Sequence, residues 1–141
     1  MKPKELKLIL RDFTKIKSEV ASIQQTLNRL REQVESVRSA ASNGLPRSGK
    51  IIDVVADAVC RLEKAIEHYR DKMTVYTDQL MECEYLISLC SDQDGRTILR
   101  EHYINGIKFE NIPILINVSP ETMWRYYRRA IKEICDKVDS E

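Results

Sequence analysis

The residues whose types and spacing could do chemistry lie near the end of the chain, in the segment SPETMWRYYRRAIKEI. Projected as a helix at 100° per residue, one face of this segment presents Glu121, Arg125, Arg128 and Lys132, with Trp124 and Arg129 on its flanks. The opposite face presents Met123, Tyr127, Ala130 and Ile134. Arginine binds guanine or phosphate, and a carboxylate accepts from cytosine N4. The pattern indicates a DNA-recognition helix; the alternative is an ordinary solvated face.

The sequence allows two roles for Trp124. It could contact a thymine methyl group, or it could cover a neighbouring apolar core.

The sequence contains no comparable pattern for catalysis or metal binding. The chain has no glycine-rich phosphate loop and no nucleophile–base constellation. Its four cysteines, Cys60, Cys83, Cys90 and Cys135, form no CxxC pair, and His68 and His102 stand alone. We therefore expect no enzyme, no metal site and no cofactor, with the cysteines acting as small buried apolar groups.

The arginine-rich helix needs elements that position it. Ser119 is typical of a helix N-cap and Pro120 of the first helical residue. Upstream, the pattern predicts a helix capped by Ser91 or Asp92 and running to about Ile104, a turn at Asn105-Gly106, a second short helix over about Phe109–Leu115 and a turn at Ile116–Val118. A short helix, a tight turn and a longer capped helix are the order of a helix-turn-helix.

Two heptad seams precede this segment. Apolar residues recur at alternating spacings of three and four from Leu6 to Ala41 and again from Ile52 to Cys90, separated by a loop over about 42–50. The sequence therefore predicts an all-α fold: an antiparallel helical hairpin, or coiled coil, over residues 1–91, followed by a helix-turn-helix domain over 92–141.

The same seams predict a register for the hairpin. Pairing Ala41 with Val55 sets Leu27 opposite Tyr69 and Phe13 opposite Cys83. Five apolar residues remain outside the seams, and we expect them to contact either the C-terminal segment or a second hairpin in a homodimer: Leu10, Val54, Val75, Leu86 and Leu89. A parallel homodimer of the first arm is the other topology, but it would leave the second seam unpaired.

Composition and charge limit the classes of protein and partner that are possible. The chain has 141 residues with a formal net charge of +1, and its helical arms are opposite in sign, +4 over residues 1–42 and −4 over 51–91. No apolar run is long enough for a transmembrane helix and the N-terminus lacks the pattern of a secretory signal, so we expect a cytoplasmic protein with no membrane partner. The low net charge argues against nucleic acid only when it is averaged over the chain, because most of the local basic excess lies on one helical face.

The stretch REHYINGIKFENIPILINVSPETMWRYYRRAIKEI resembles region 4 of bacterial sigma factors. More closely, it resembles small phage and prophage regulators of the ArpU/RinA type, and Gly44-Leu45-Pro46-Arg47 and Arg61-Leu62-Glu63 extend the likeness to the hairpin. Two residues depart from the family. Pro113 replaces the usual alanine and requires a short or distorted second helix, and Asn117 replaces a frequent glycine but tolerates positive φ.

The resemblance implies a transcriptional regulator of late phage genes, such as packaging or lysis genes, that acts in a bacterial cell. Double-stranded DNA is the expected partner, and host RNA polymerase is a further candidate. The residues that the likeness brings to the major groove are Glu121, Thr122, Trp124, Arg125, Arg128 and Arg129.

Two alternatives remain open. One is a small terminase-like packaging subunit, for which rings of eight or more copies would be expected. The other is a coiled-coil adaptor that binds proteins and never contacts DNA.

Overall fold

The computed structural model describes residues 1–42 and 49–141, and within these ranges all regular structure is helical. The elements in chain order are α1 (Pro3–Ser42), α2 (Gly49–Ser88), α3 (Gln93–Leu99), a π-helical turn (Arg100–Ile104), a 3₁₀ turn (Phe109–Asn111), α4 (Ile112–Ile116) and α5 (Pro120–Asp139). The prediction of an all-α fold with a long helical hairpin is confirmed. Most of the predicted loop over 42–50, including Gly44–Arg47, lies outside the described residues.

The chain divides into two compact units, and the division differs from the predicted boundary at residues 91 and 92. The first unit combines Met1–Lys17 with Tyr76–Glu141, and the second is Ser18–Val75. The reason lies in the apolar residues at the start of α1 and the end of α2, which share one core with the C-terminal helices. We call the first unit the core unit and the second the hairpin unit.

The hairpin unit is an antiparallel pair of helical segments. Val20, Leu27 and Val34 of α1 are buried in its seam, and Lys72 of α2 pairs with Glu19 at 3.0 Å. Nearer the connection, both helices line one groove, formed by Arg29, Glu32, Gln33, Ser36, Val37, Val54, Asp57, Ala58 and Arg61.

The predicted register is wrong by one heptad. In the core unit the ring of Phe13 contacts the ring of Tyr76, with centroids 5.4 Å apart, whereas the predicted register sets Phe13 opposite Cys83, seven residues later. In the hairpin unit, Val37 and Val54 line the same groove, which agrees with the same displacement. Registers one heptad apart bring the same types of seam position together, so a heptad pattern does not distinguish them.

The core unit buries apolar residues from every part of its chain. They are Leu6, Leu10, Phe13 and Ile16 of α1, Cys83, Leu86, Ile87 and Cys90 near the end of α2, Ile98, Leu99, Tyr103 and Ile112 from α3 to α4, and Met123, Tyr127, Ala130, Ile131, Ile134 and Cys135 of α5. Of the surplus apolar residues, Leu10 and Leu86 are thus buried in the core shared with the C-terminal segment, as one alternative predicts. Val54 and Val75 in the hairpin unit stay exposed.

The two short helical segments lie where the sequence predicts, but each divides in two: α3 ends at Leu99 and continues as the π-helical turn to Ile104, and α4 begins only after the 3₁₀ turn at Phe109–Asn111. Asp92 caps α3 by accepting from the Gly95 amide at 3.3 Å, and Gly106 turns the chain with φ +76. Pro113 lies in the first turn of α4, where its missing amide proton costs nothing, and this helix has only five residues. Asn117 ends α4 in the left-handed conformation with φ 57. The second helix is short, as expected, and it follows a 3₁₀ turn.

Candidate nucleic-acid interface

Helix α5 separates its apolar and charged side chains as the sequence predicts. Met123, Tyr127, Ala130 and Ile134 are buried, and the opposite side presents the exposed residues Glu121, Arg125, Arg128 and Lys132. The helix begins at Pro120, and Ser119 caps it by accepting from the Thr122 amide at 3.2 Å. The charged face therefore belongs to a helix whose first turn is fixed and whose other side is packed.

The cations of this face are not neutralised by neighbouring acids. Within the described ranges, no carboxylate forms an ion pair with Arg125, Arg128, Arg129 or Lys132. The guanidinium groups of Arg125 and Arg129 lie 5.7 and 5.6 Å from the ring centroid of Tyr126. Cation–π contacts of this kind orient the side chains and leave the N–H donors available.

Trp124 covers a neighbouring core, which is one of its two predicted roles. Its ring lies 4.7 Å from Phe109 and 5.6 Å from Tyr127, measured between centroids. Trp124 nevertheless remains 37% exposed.

Thr122 has a local partner that the sequence reading did not identify. Its hydroxyl oxygen lies 2.8 Å from the Ser119 hydroxyl, which donates to it. This bond belongs to the cap of α5, so the hydroxyl of Thr122 helps to fix the start of the helix.

An aromatic cluster fixes α5 onto the preceding turns, and sequence reasoning missed it. His102 stacks on Phe109 with ring centroids 3.5 Å apart, and the hydroxyl groups of Tyr103 and Tyr127 are hydrogen-bonded at 2.7 Å in a buried setting. Burial raises the pKa of both tyrosines and lowers the pKa of His102. The cluster is therefore uncharged at neutral pH. The sequence signal for this cluster is the density of aromatic residues in the segments around 102–109 and 124–127. Density alone does not specify which rings are in contact.

The C-terminal half of α5 is held by polar bonds to the segment between α2 and α3. Glu133 accepts from the Ser91 amide at 3.0 Å and pairs with Lys137 at 3.0 Å. Lys137 also donates to the carbonyl oxygen of Leu89 at 2.7 Å, and Arg96 donates to that of Cys90 at 2.8 Å. These bonds give partners to carbonyl groups of the segment between α2 and α3, where no helix supplies them.

The remaining candidate features are metal ligands, membrane-spanning helices and cysteines. Residues 1–42 and 49–141 contain no cluster of three or more His, Cys, Asp or Glu that could hold a metal ion. None of the helices described combines the length and the apolar character needed to cross a membrane. Three cysteines are buried, and burial raises the pKa of Cys83 to about 11, whereas Cys60 is exposed and departs from the expectation of a buried apolar group.

Comparison with known proteins adds no identification. No family model matches the chain, and neither a curated protein nor a solved structure matches it.

Proposed function

We propose that this protein is a sequence-specific DNA-binding regulator of transcription that inserts α5 into the major groove. One observation supports this above all others: a row of arginines without acidic partners lies on the exposed side of a capped, well-packed helix. Surface arginines with no such partner are the groups that bind guanine edges and phosphates.

The dimensions of the charged face suit this task. From Glu121 to Lys132 the helix rises about 16 Å at 1.5 Å per residue, which corresponds to about five base-pair steps. The major groove admits an α-helix at this scale. In the proposal, Arg125 and Arg128 bind guanine, Glu121 accepts from cytosine, and Lys132 and Arg129 contact phosphate.

The elements before α5 support the same proposal. Helix α4, the left-handed turn at Asn117 and the capped start of α5 follow one another in the order of a helix-turn-helix. A regulator of late phage genes, with host RNA polymerase as a partner, remains the biological setting that the resemblance to ArpU/RinA-type proteins implies.

The test is selection of bound genomic fragments with purified protein, followed by titration of the selected duplex. We expect one preferred site and an affinity that falls steeply with salt, because each phosphate contact releases counterions. Arg125→Ala or Arg128→Ala should reduce the preference for that site over a scrambled duplex by about 10-fold or more, since one bidentate contact discriminates by about 1–3 kcal/mol.

Arg38→Ala is the matched control, because Arg38 is an exposed helical arginine of the hairpin unit that pairs with Glu35 at 4.0 Å. Site preference should be unchanged in this variant. Unchanged preference in both α5 variants would contradict the assignment of α5 as the recognition helix.

The proposal includes a homodimer. A single module with a modest local charge binds DNA weakly, and two linked modules bind far more tightly. Val54 and Val75 remain exposed in the hairpin unit and offer apolar contact to a second hairpin. Sedimentation should give a dimer at micromolar concentration; a monomer at all concentrations would contradict this part, and rings of eight or more would favour the packaging subunit.

A further inference from the structure

The first seventeen residues form the most basic segment of the chain, with six basic side chains against two acidic ones. This excess accounts for the +4 charge of residues 1–42, which is opposite in sign to the −4 charge of residues 51–91. In the described residues, however, Lys4, Lys7 and Arg11 form no ion pair with α2 or with any other element. Their charge is available for another partner.

This part of α1 lies alongside the C-terminal helices of the core unit. The ammonium group of Lys7 is 5.7 Å from the ring centroid of Tyr127 in α5. Thr14 donates to the carbonyl oxygen of Tyr103 at 3.3 Å, and Lys17 donates to that of Ile104. One side of α1 therefore contacts the π-helical turn and α5.

Arg11 lies close to the same group of residues. Burial raises the pKa of Tyr103 and Tyr127, and the positive charge of Arg11 acts in the opposite direction on both. The same charge adds to the effect of burial in lowering the pKa of His102. Arg11 itself is exposed.

Lys4, Lys7 and Arg11 are spaced i, i+3 and i+7, which brings them to one face of a helix. Tyr127, beside Lys7, is followed directly by Arg128 of the charged face, and Trp124 lies one turn before it. The basic row of α1 thus meets α5 through Lys7, at the residue that directly precedes Arg128 of the charged face.

We infer that Lys4, Lys7 and Arg11 form a second DNA-binding row, which contacts backbone phosphates at the edge of the groove occupied by α5. The inference rests on the proposed function and extends it from one helix to two. Phosphates line both edges of the major groove, which is about 12 Å wide, so cations beside a recognition helix meet backbone and not base edges. The row would therefore add affinity without adding sequence preference.

The test measures the salt dependence of binding to the selected duplex and to a scrambled duplex between 50 and 200 mM salt. The variant is Lys4→Gln, Lys7→Gln and Arg11→Gln combined, because glutamine keeps much of the stem and removes the charge. We expect the slope of log affinity against log salt to become shallower by about 0.9 for each lost phosphate contact. Affinity for both duplexes should fall by a similar factor, and their ratio should be unchanged.

Arg100→Gln is the matched control, since it removes the same charge from an arginine already paired with Glu84 at 2.8 Å. Its slope should equal that of the native protein. Lys7→Arg should keep the native slope, because the charge is retained. Thermal unfolding verifies that each variant is folded; Lys4→Gln and Arg11→Gln, at exposed positions, repeat the test singly if the triple variant is unstable.

Each outcome separates the two proposals. A native slope in the folded charge variants, or an equal change in Arg100→Gln, would overturn the second row and leave recognition by α5 intact. Absence of duplex binding by the native protein would overturn both.

Discussion

At the scale of single residues, Glu133 shows how the C-terminal half of α5 is fixed in one position. Its carboxylate accepts from the hydroxyl and amide groups of Ser91 and pairs with Lys137. The Ser91 hydroxyl above all, with Lys137, lowers the pKa of Glu133 from 4.5 to about 2. Because α5 holds the proposed DNA-binding face, this contact also positions that face.

We expect Glu133→Gln to lower the free energy of unfolding by about 1–2 kcal/mol at pH 7, at the lower end of the range for hydrogen bonds to charged groups because these bonds lie near solvent. A carboxylate whose pKa is depressed in the folded state stabilises above its ordinary pKa and loses that effect as the pH falls through the folded value. The difference between native and variant protein should therefore shrink between about pH 4.5 and pH 2. Urea unfolding at several pH values measures it.

Glu32→Gln, at an exposed position, is the control and should show no such pH dependence. If the free energies of unfolding of the native protein and Glu133→Gln differed by the same amount at pH 7 and near pH 2, packing and not the charge would account for the effect.

At the scale of elements, the start of α5 combines several local signals. Ser119 caps the helix, Pro120 opens it, and Glu121 lies in its first turn where the helix dipole favours an acid. The aromatic cluster then fixes the first half of the helix, and the bonds around Glu133 fix the second half.

Ser119→Ala should destabilise the protein by about 1 kcal/mol, because the Thr122 amide and the Thr122 hydroxyl both lose their partner. Ser119→Asp should retain most of the stability, since aspartate is an equally good cap. Thermal unfolding of the two variants makes the comparison. Equal loss in both would show that the cap is not what stabilises this turn.

At the scale of the whole chain, the core unit joins segments far apart in sequence. Leu6, Leu10 and Phe13 are fully buried in the same core as α5. Each buried side chain of this size contributes about 1.5–3 kcal/mol, and small domains are stable by only about 5–15 kcal/mol. The C-terminal helices therefore depend on the first helix for their stability.

We expect a peptide of residues 92–141 alone to lack cooperative unfolding, although the sequence predicts a domain over that range. A chain that joins residues 1–17 to 76–141 through a short glycine–serine linker should fold, because it retains the whole core unit. Circular dichroism during heating distinguishes the two. A sharp transition in the 92–141 peptide would contradict the shared core.

The sequence by itself determined the local features of this protein. Helix caps, turn residues and the separation of faces on α5 depend on neighbours within about four positions, and such signals can be read without the fold. For the same reason the caps at Asp92 and Ser119 and the short length of α4 were predictable. The division of the charged face from Met123 and Tyr127 was also fixed at this level.

Only the tertiary structure decided how distant segments meet. The heptad pattern repeats every seven residues, so it could not choose between the pairing of Phe13 with Cys83 and its contact with Tyr76. It also could not indicate that the start of α1 belongs to the core of α5 and brings Lys7 beside Tyr127. Contacts between distant segments follow from how apolar faces fit together in three dimensions, and periodicity along a single helix does not encode that fit.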